Sequence, residues 1–282
     1  MDFESIDWEA MWRQECARSP WKDGISAKER WDKRAAEFNK GVGLRNEQED
    51  PSGNKSDYIS KMLERIRIRP DWTVLDIGCG PGTLALSLAQ RAKRVTGLDV
   101  SSEMLRLLRQ NAQAAGLDNI ECMNAGWQDA LSDGRIEAHD VVVASRSLYG
   151  AEIRNALRAM DTIARHGVYV TLPVIPHSFD YEAYAAIGRL RGQHPPYIYV
   201  LNMLYQMGIK ANLELLESEK MLTFASVEDA IEQMSWRTYP FSDEEHLKLR
   251  EFLGDTFVTQ TGPPFVQQSG SIWALIWWEK RG

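Results

Sequence analysis

Val74-Leu75-Asp76-Ile77-Gly78-Cys79-Gly80-Pro81-Gly82-Thr83 joins two kinds of periodicity within ten residues. Residues 73–77 form a short apolar strand that runs into glycines. Residues 84–92 then repeat apolar side chains at helical spacing. Three glycines at alternate positions between a buried strand and a helix let the backbone approach a ligand closely.

The same alternation extends on both sides. Tyr58, Ile59, Met62, Leu63 and Ile66 mark one face of a preceding helix. Residues 94–100 read as a second strand, and Ser101 or Ser102 caps a helix whose stripe includes Met104, Leu105, Leu108 and Ala112. Strands follow at 119–123, 140–145 and 168–172, with a helix through Ile153, Leu157, Met160 and Ala164 between the last two. Strand and helix alternating at this spacing predict a doubly wound α/β sheet, parallel, with helices on both faces. Such sheets bind ligands at the carboxyl ends of their strands. Both the glycine loop and Asp99, which ends the second strand, should lie there. A carboxylate at that position can accept both hydroxyls of a ribose.

After Pro173 the rhythm breaks. Residues 176–210 read as helical material outside the core pattern. Late strands at 213–224 and 271–279, separated by a polar helical stretch around 227–257, suit an antiparallel pair closing one sheet edge. Residues 1–40 are polar and helix-prone with tryptophan anchors, and 41–57 are the best linker. Four segments result: 1–57, a helical cap and linker; 58–175, the ligand-binding core; 176–210, a second cap segment; and 211–282, completion of the sheet. Both cap segments carry too many large apolar residues to be left in solvent. They are expected to fold over the ligand edge, with a scaffold role or a homodimer contact as the alternatives.

Composition narrows the function. A hydrophobic fraction of 44% with 26% charged residues is that of a globular protein. Forty acids against thirty-three bases, net −7, is the wrong sign for broad phosphate-backbone binding, so DNA is not an expected partner. Three scattered cysteines and five histidines show neither a disulfide framework nor metal-ligand spacing, which predicts a reducing, cytoplasmic setting and no metal. The acidic start, Met1-Asp2-Phe3-Glu4, does not read as a signal peptide, and the apolar run 272–278 is far short of a membrane span.

The glycine loop excludes two common ligand classes. A dinucleotide fingerprint needs Gly-x-Gly-x-x-Gly, but here the third glycine falls at Gly82 and position 83 is Thr. No Gly-Lys-Ser/Thr follows, so it is not a P-loop. Asp76 at the strand end would repel a pyrophosphate but suits an ammonium or sulfonium. The loop therefore favours a nucleoside ligand with positive charge.

Taken together, residues 74–82, Gly97-Leu98-Asp99-Val100-Ser101 with Met104, and Asp140-Val141-Val142-Val143-Ala144-Ser145 resemble the class I S-adenosylmethionine-dependent methyltransferases. The resemblance covers roughly residues 58–175. It implies a Rossmann-like sheet of seven strands with an antiparallel last strand, and S-adenosylmethionine as cofactor. It also implies that Gly78, Cys79, Gly80, Pro81 and Gly82 line the methionine end, with Asp76 holding the amino group. Asp99 would bind the ribose, Val100 and Met104 would flank the adenine, and Ser145 with Arg146 would sit below the transferred methyl. One position departs from the pattern. Gly126 stands where relatives often carry an acid that reads the adenine amine, leaving that task to backbone or Gln128. Trp127 would either cover the purine or plug the core.

Methyl transfer needs alignment more than acid–base chemistry, so a general base is optional. His177, just after the fifth strand, is the leading base by position. Arg146 and Tyr149 follow the fourth strand; Arg146 would either bind a carboxylate or phosphate on the acceptor or pair with Asp140 or Glu152. The chain has Ser145-Arg146-Ser147-Leu148 in place of the Asn-Pro-Pro-Tyr-type signature of base methylases. A small-molecule acceptor is therefore expected. The alternatives are a protein or RNA acceptor, or a cofactor-binding protein without transfer.

Overall fold

A computed structural model describes residues 3–17, 26–40, 42, 57–148, 150, 152–175, 178–188, 195–235, 241–258, 260 and 262–280. Seven strands form one sheet: β1 (Thr73–Ile77), β2 (Arg94–Asp99), β3 (Ile120–Asn124), β4 (His139–Ser145), β5 (Ala164–Ile175), β6 (Asn212–Phe224) and β7 (Phe265–Glu279). Their order is β3-β2-β1-β4-β5-β7-β6. The first five run parallel, and β7 runs antiparallel to both β5 and β6. The doubly wound sheet with an antiparallel last strand is present as the resemblance implies. The order reverses at β1, whose neighbours are β2 and β4. Chain therefore leaves toward opposite faces on its two sides, opening a crevice at the carboxyl end of β1.

Alternation along each strand sorts side chains onto two faces. Leu75, Ile77, Val142, Ala144, Val168 and Val170 face α7 (Ile153–Ile163) and α9 (Tyr197–Gln206). Val74, Val141, Val143, Tyr169 and Leu275 face α3 (Asp57–Arg65), α4 (Ala85–Ala89) and α5 (Ser102–Ala114). The second face also carries Asp76, Ser145, Thr171 and Trp273, each in step with its Val143 or Leu275 neighbours. Burying one such aliphatic side chain stabilises the fold by about 1.5–3 kcal/mol. A polar group among them is tolerated only with a partner or a task.

The amino-terminal segment divides between the two faces. Trp12 of α1 (Trp8–Ala17) is buried on the first face, where its indole Nε1 donates to Gly150 O at 2.7 Å. Gln206 of α9 donates to Ile6 O at 2.9 Å, and Arg154 of α7 pairs with Glu9 at 3.4 Å. By contrast α2 (Ala27–Lys40) packs on α5, with Trp31 and Ala35 against Met104 and Leu107. Apart from Val42 and Asp57, the expected linker lies outside the described residues.

The helical segment expected over 176–210 also divides. α9 joins α7 on the first face, whereas α8 (Ser178–Ala186) belongs to a third core with α10 (Val227–Ser235) and α11 (Asp243–Phe257). α11 starts with a capping box, Ser242 and Glu245 each accepting from the other's backbone N–H. This third core rests on a stretch of β7 longer than the sequence suggests. Residues 265–271 extend past the last β5 pair, Ile175 with Ile272, and pair with β6 alone. Gln267, Gln268, Ser269 and Gly270 fall outside the expected strand because their apolar cover comes from helices remote in sequence.

Candidate active site

The glycine loop closes onto β2 beyond the regular pairing: Leu98 O accepts from Gly78 N at 2.7 Å and from Cys79 N at 3.1 Å. Its three glycines have different physical reasons. Gly78 has φ +70°, and a Cβ there would lie 2.3 Å from Ser147 Cβ on the β4–α7 connection. Gly82 has φ +99°, and its Cβ would lie 2.5 Å from Leu108 Cδ1. Gly80 has φ +55° but open space, its nearest neighbour being Met104 Sδ at 4.0 Å. Protein fills the volume beside the outer two, while the middle one presents bare backbone to the crevice. Asn111 of α5 ties the loop down, donating to Pro81 O at 2.8 Å and to Asn39 Oδ1 of α2 at 2.7 Å. Cys79 is buried, and burial pushes its thiol well above the ordinary range, so it is an inert packing group here.

Two carboxyl groups stand at the strand ends. Asp76 is 1% exposed, and its Oδ2 is a buried oxygen with no hydrogen-bond partner among the described residues. Burial, with the charge of Asp99 added, pushes its carboxyl up to about 7. Asp99 is also buried and also raised by burial, opposed by the backbone donors that hold it. Its Oδ2 accepts from Gly80 N at 2.9 Å and its Oδ1 from Ser101 N at 2.8 Å. Ser101 in turn caps α5, accepting from Met104 N at 3.1 Å, and donates to Asp32 Oδ1 of α2 at 2.6 Å. A chain of hydrogen bonds thus runs from α2 through Ser101 and Asp99 to the loop.

Around these acids the structure gathers most of the expected cofactor residues. Val100 follows β2, its carbonyl accepting from Asn124 Nδ2 at 3.1 Å. Met104 is 2% exposed, sealed under Trp31 and Ala35. Gly126 caps α6 (Trp127–Ser132) with extended backbone. Trp127 packs against the first-face core, which fits the plug alternative, and Gln128 is exposed beside Gly150.

Beyond β4 lies a cluster that spacing does not announce. Tyr58 of α3 shares hydrogen bonds with Ser145 Oγ at 2.8 Å and Thr171 Oγ1 at 2.7 Å. The same threonine oxygen accepts from Arg146 N at 2.9 Å. Arg146 has φ +57°, and its guanidinium lies 4.7 Å from the Tyr58 ring centre and 5.8 Å from that of Trp273. Tyr58 and Trp273 meet edge to face at 5.9 Å. The alternative in which Arg146 pairs with Asp140 or Glu152 is not what the structure shows. Asp140 sits at the other end of β4, where it takes Thr73 and Arg165, and Glu152 takes Asn155. Tyr149 and His177 lie outside the described residues. Among the described residues no group of three or more His, Cys, Asp or Glu could hold a metal, and no helix is long and apolar enough to cross a membrane.

A family profile described as a methyltransferase domain matches residues 74–167, the span from β1 into β5. The chain is 34% identical over 250 residues to an uncharacterized protein of Haemophilus influenzae, covering 88% of each. It is 31% identical over 113 residues to a probable cobalt-precorrin-6B C(15)-methyltransferase (decarboxylating) of Methanobrevibacter smithii, covering 40% of this chain and 58% of that protein. Among solved structures, the YcgJ protein of Bacillus subtilis superposes with a TM-score of 0.56 at 17% identity, over 81% of this chain and all of that one.

Proposed function

We propose that this chain, whose residues 74–167 match a methyltransferase domain, transfers the methyl group of S-adenosylmethionine to a small-molecule acceptor by in-line displacement. The observation that carries the site assignment is the orphan Oδ2 of Asp76. A buried carboxylate oxygen without a donor is costly, and an ammonium group would satisfy it. The bare backbone at Gly80 leaves room for a ligand to reach it.

In this reading Asp76 holds the cofactor's amino group, and Gly78, Cys79, Gly80, Pro81 and Gly82 surround its methionine end. Asp99 takes the ribose hydroxyls. Each of its oxygens has one acceptor position occupied by Gly80 or Ser101 and retains another for a hydroxyl. Val100 and Met104 border the adenine, with Gly126 and Gln128 along its edge and Trp127 behind them in the core. Bound S-adenosylmethionine supplies a methyl group made electrophilic by its sulfonium. The chain's own contribution is to orient the two reactants and exclude water, with Ser145 fixed by Tyr58 below the transfer point.

An acidic chain is poorly suited to a polyanionic acceptor, which supports a small molecule over a nucleic acid. Incubating the protein with methyl-labelled S-adenosylmethionine and a cell extract tests the reading. Label in the low-molecular-weight fraction is expected. Label in protein or RNA would move the acceptor class, and absence of any transfer would leave a binding protein.

A further inference from the structure

We propose that the methyl acceptor carries a carboxylate or phosphate group and that Arg146, held over Tyr58 and Trp273, binds it. This rests on the methyltransferase reading above and adds the chemical class of the acceptor.

The argument starts from an unusual backbone. Arg146 is the first residue after β4 and adopts a left-handed conformation, which costs a side-chain-bearing residue about 1–2 kcal/mol. Such strain persists where surrounding structure holds it, and here Thr171 Oγ1 accepts the Arg146 N–H. The turn swings the side chain over two aromatic rings. Neither ring is free to move away, since the Tyr58 hydroxyl is fixed by Ser145 and Thr171 and the Trp273 indole donates to Ser271 Oγ at 3.2 Å.

The guanidinium beside these two rings carries a planar fork of N–H donors. That fork has no carboxylate among the described residues, whereas Arg65, Arg67, Arg94 and Arg154 each meet a glutamate. Arg146 is also partly exposed, so a ligand can reach it. Its position suits an acceptor. Val143 pairs with Asp76, and Arg146 lies three residues further along, about 10 Å at strand rise. The Arg146 backbone therefore lies beyond Asp76 at the carboxyl end of the sheet, and Trp273, beside its guanidinium, belongs to the sheet face that carries Asp76. A fixed planar donor with no internal anion matches a carboxylate or phosphate in two-pronged contact.

The test uses the full chain saturated with S-adenosylhomocysteine and three probes: benzoate, phenyl phosphate and neutral benzyl alcohol. The readout is the indole N–H resonance of Trp273, assigned with W273F, together with calorimetry. Benzoate or phenyl phosphate should shift that resonance saturably, and whichever binds tighter identifies the anion. Benzyl alcohol should not. R146Q should weaken the anion about tenfold or more, and R146K should recover part of the loss, because it keeps the charge without the fork. Adenosylhomocysteine affinity is measured on both variants, and a fall matching the loss of anion binding would overturn the acceptor assignment. If wild type fails to bind adenosylhomocysteine, the methyltransferase reading falls. If it binds but neither anion shifts Trp273, or R146Q binds the anions as wild type does, or benzyl alcohol binds equally, the acceptor assignment falls.

Discussion

The negative charge of Asp99 reinforces burial in holding a proton on Asp76, the carboxyl one strand away whose Oδ2 has no donor. Asp76 therefore changes charge near neutrality, and an ammonium ligand prefers the ionised form. Affinity for S-adenosylhomocysteine should fall as pH drops below about 7, approaching about tenfold per pH unit. Calorimetry across that range checks it. Asp76→Asn should bind weakly with a flat profile; a steep profile in the variant would assign the proton elsewhere.

The same shift acts on folding. The Asp76 carboxyl has an ordinary value of 3.8 and a folded value of about 7, so between these values the folded state binds more protons than the unfolded one. This contribution to stability therefore declines as pH rises through that window and is gone above about 7. Asp76→Asn should raise the ligand-free melting temperature more at about pH 8 than at about pH 5. Equal shifts at both would contradict the burial argument.

Gly78 and Gly80 should separate under alanine substitution. Gly78→Ala drives a methyl into Ser147 and should cost about 1–3 kcal/mol of stability, with S147G added to G78A restoring part of it. Gly80→Ala meets open space and should cost only about 1 kcal/mol of backbone strain while lowering cofactor affinity more than stability. Urea unfolding beside calorimetry reads both quantities.

Asp32 connects α2 through Ser101 to Asp99, the carboxylate proposed to bind the ribose. Asp32→Ala should weaken adenosylhomocysteine by about 0.5–1.5 kcal/mol. Hydrogen exchange over 27–40 should slow on ligand binding in wild type and lose that response in the variant. Identical exchange with and without ligand would make α2 a scaffold.

Ser269 is 1% exposed and its Oγ is buried with no partner. Replacing it by Ala removes an unsatisfied hydroxyl at almost constant volume. Ser269→Ala should be neutral or more stable by about 1 kcal/mol, read from the thermal midpoint. A clear loss of stability would mean that the hydroxyl has a partner in solution.

How much of this was legible in the sequence depends on the range of the interactions. Strands β1 to β5 show because each is an apolar run next to its own helix, and the 74–83 loop shows because glycine has few other reasons to recur there. Asp76 and Asp99 follow from that loop. The Tyr58, Arg146 and Trp273 cluster does not show: its members come from three distant segments, and Tyr58 reads locally as part of an ordinary helical stripe. The early half of β7 is hidden for a related reason, since Ser269 and Gln267 are strand residues only because β6 lies alongside.

The placement of Trp12 also has a consequence for how the chain assembles. Its indole reaches Gly150, 138 residues away, and Ile6 accepts from Gln206, 200 residues away. Residues 6–12 leave the ribosome long before either partner exists. The contacts of α1 therefore form only after the β4–α7 connection and α9 have both been synthesised. Trp12, hidden completely in the finished fold, thus has its burial fixed by chain that is synthesised more than a hundred residues later.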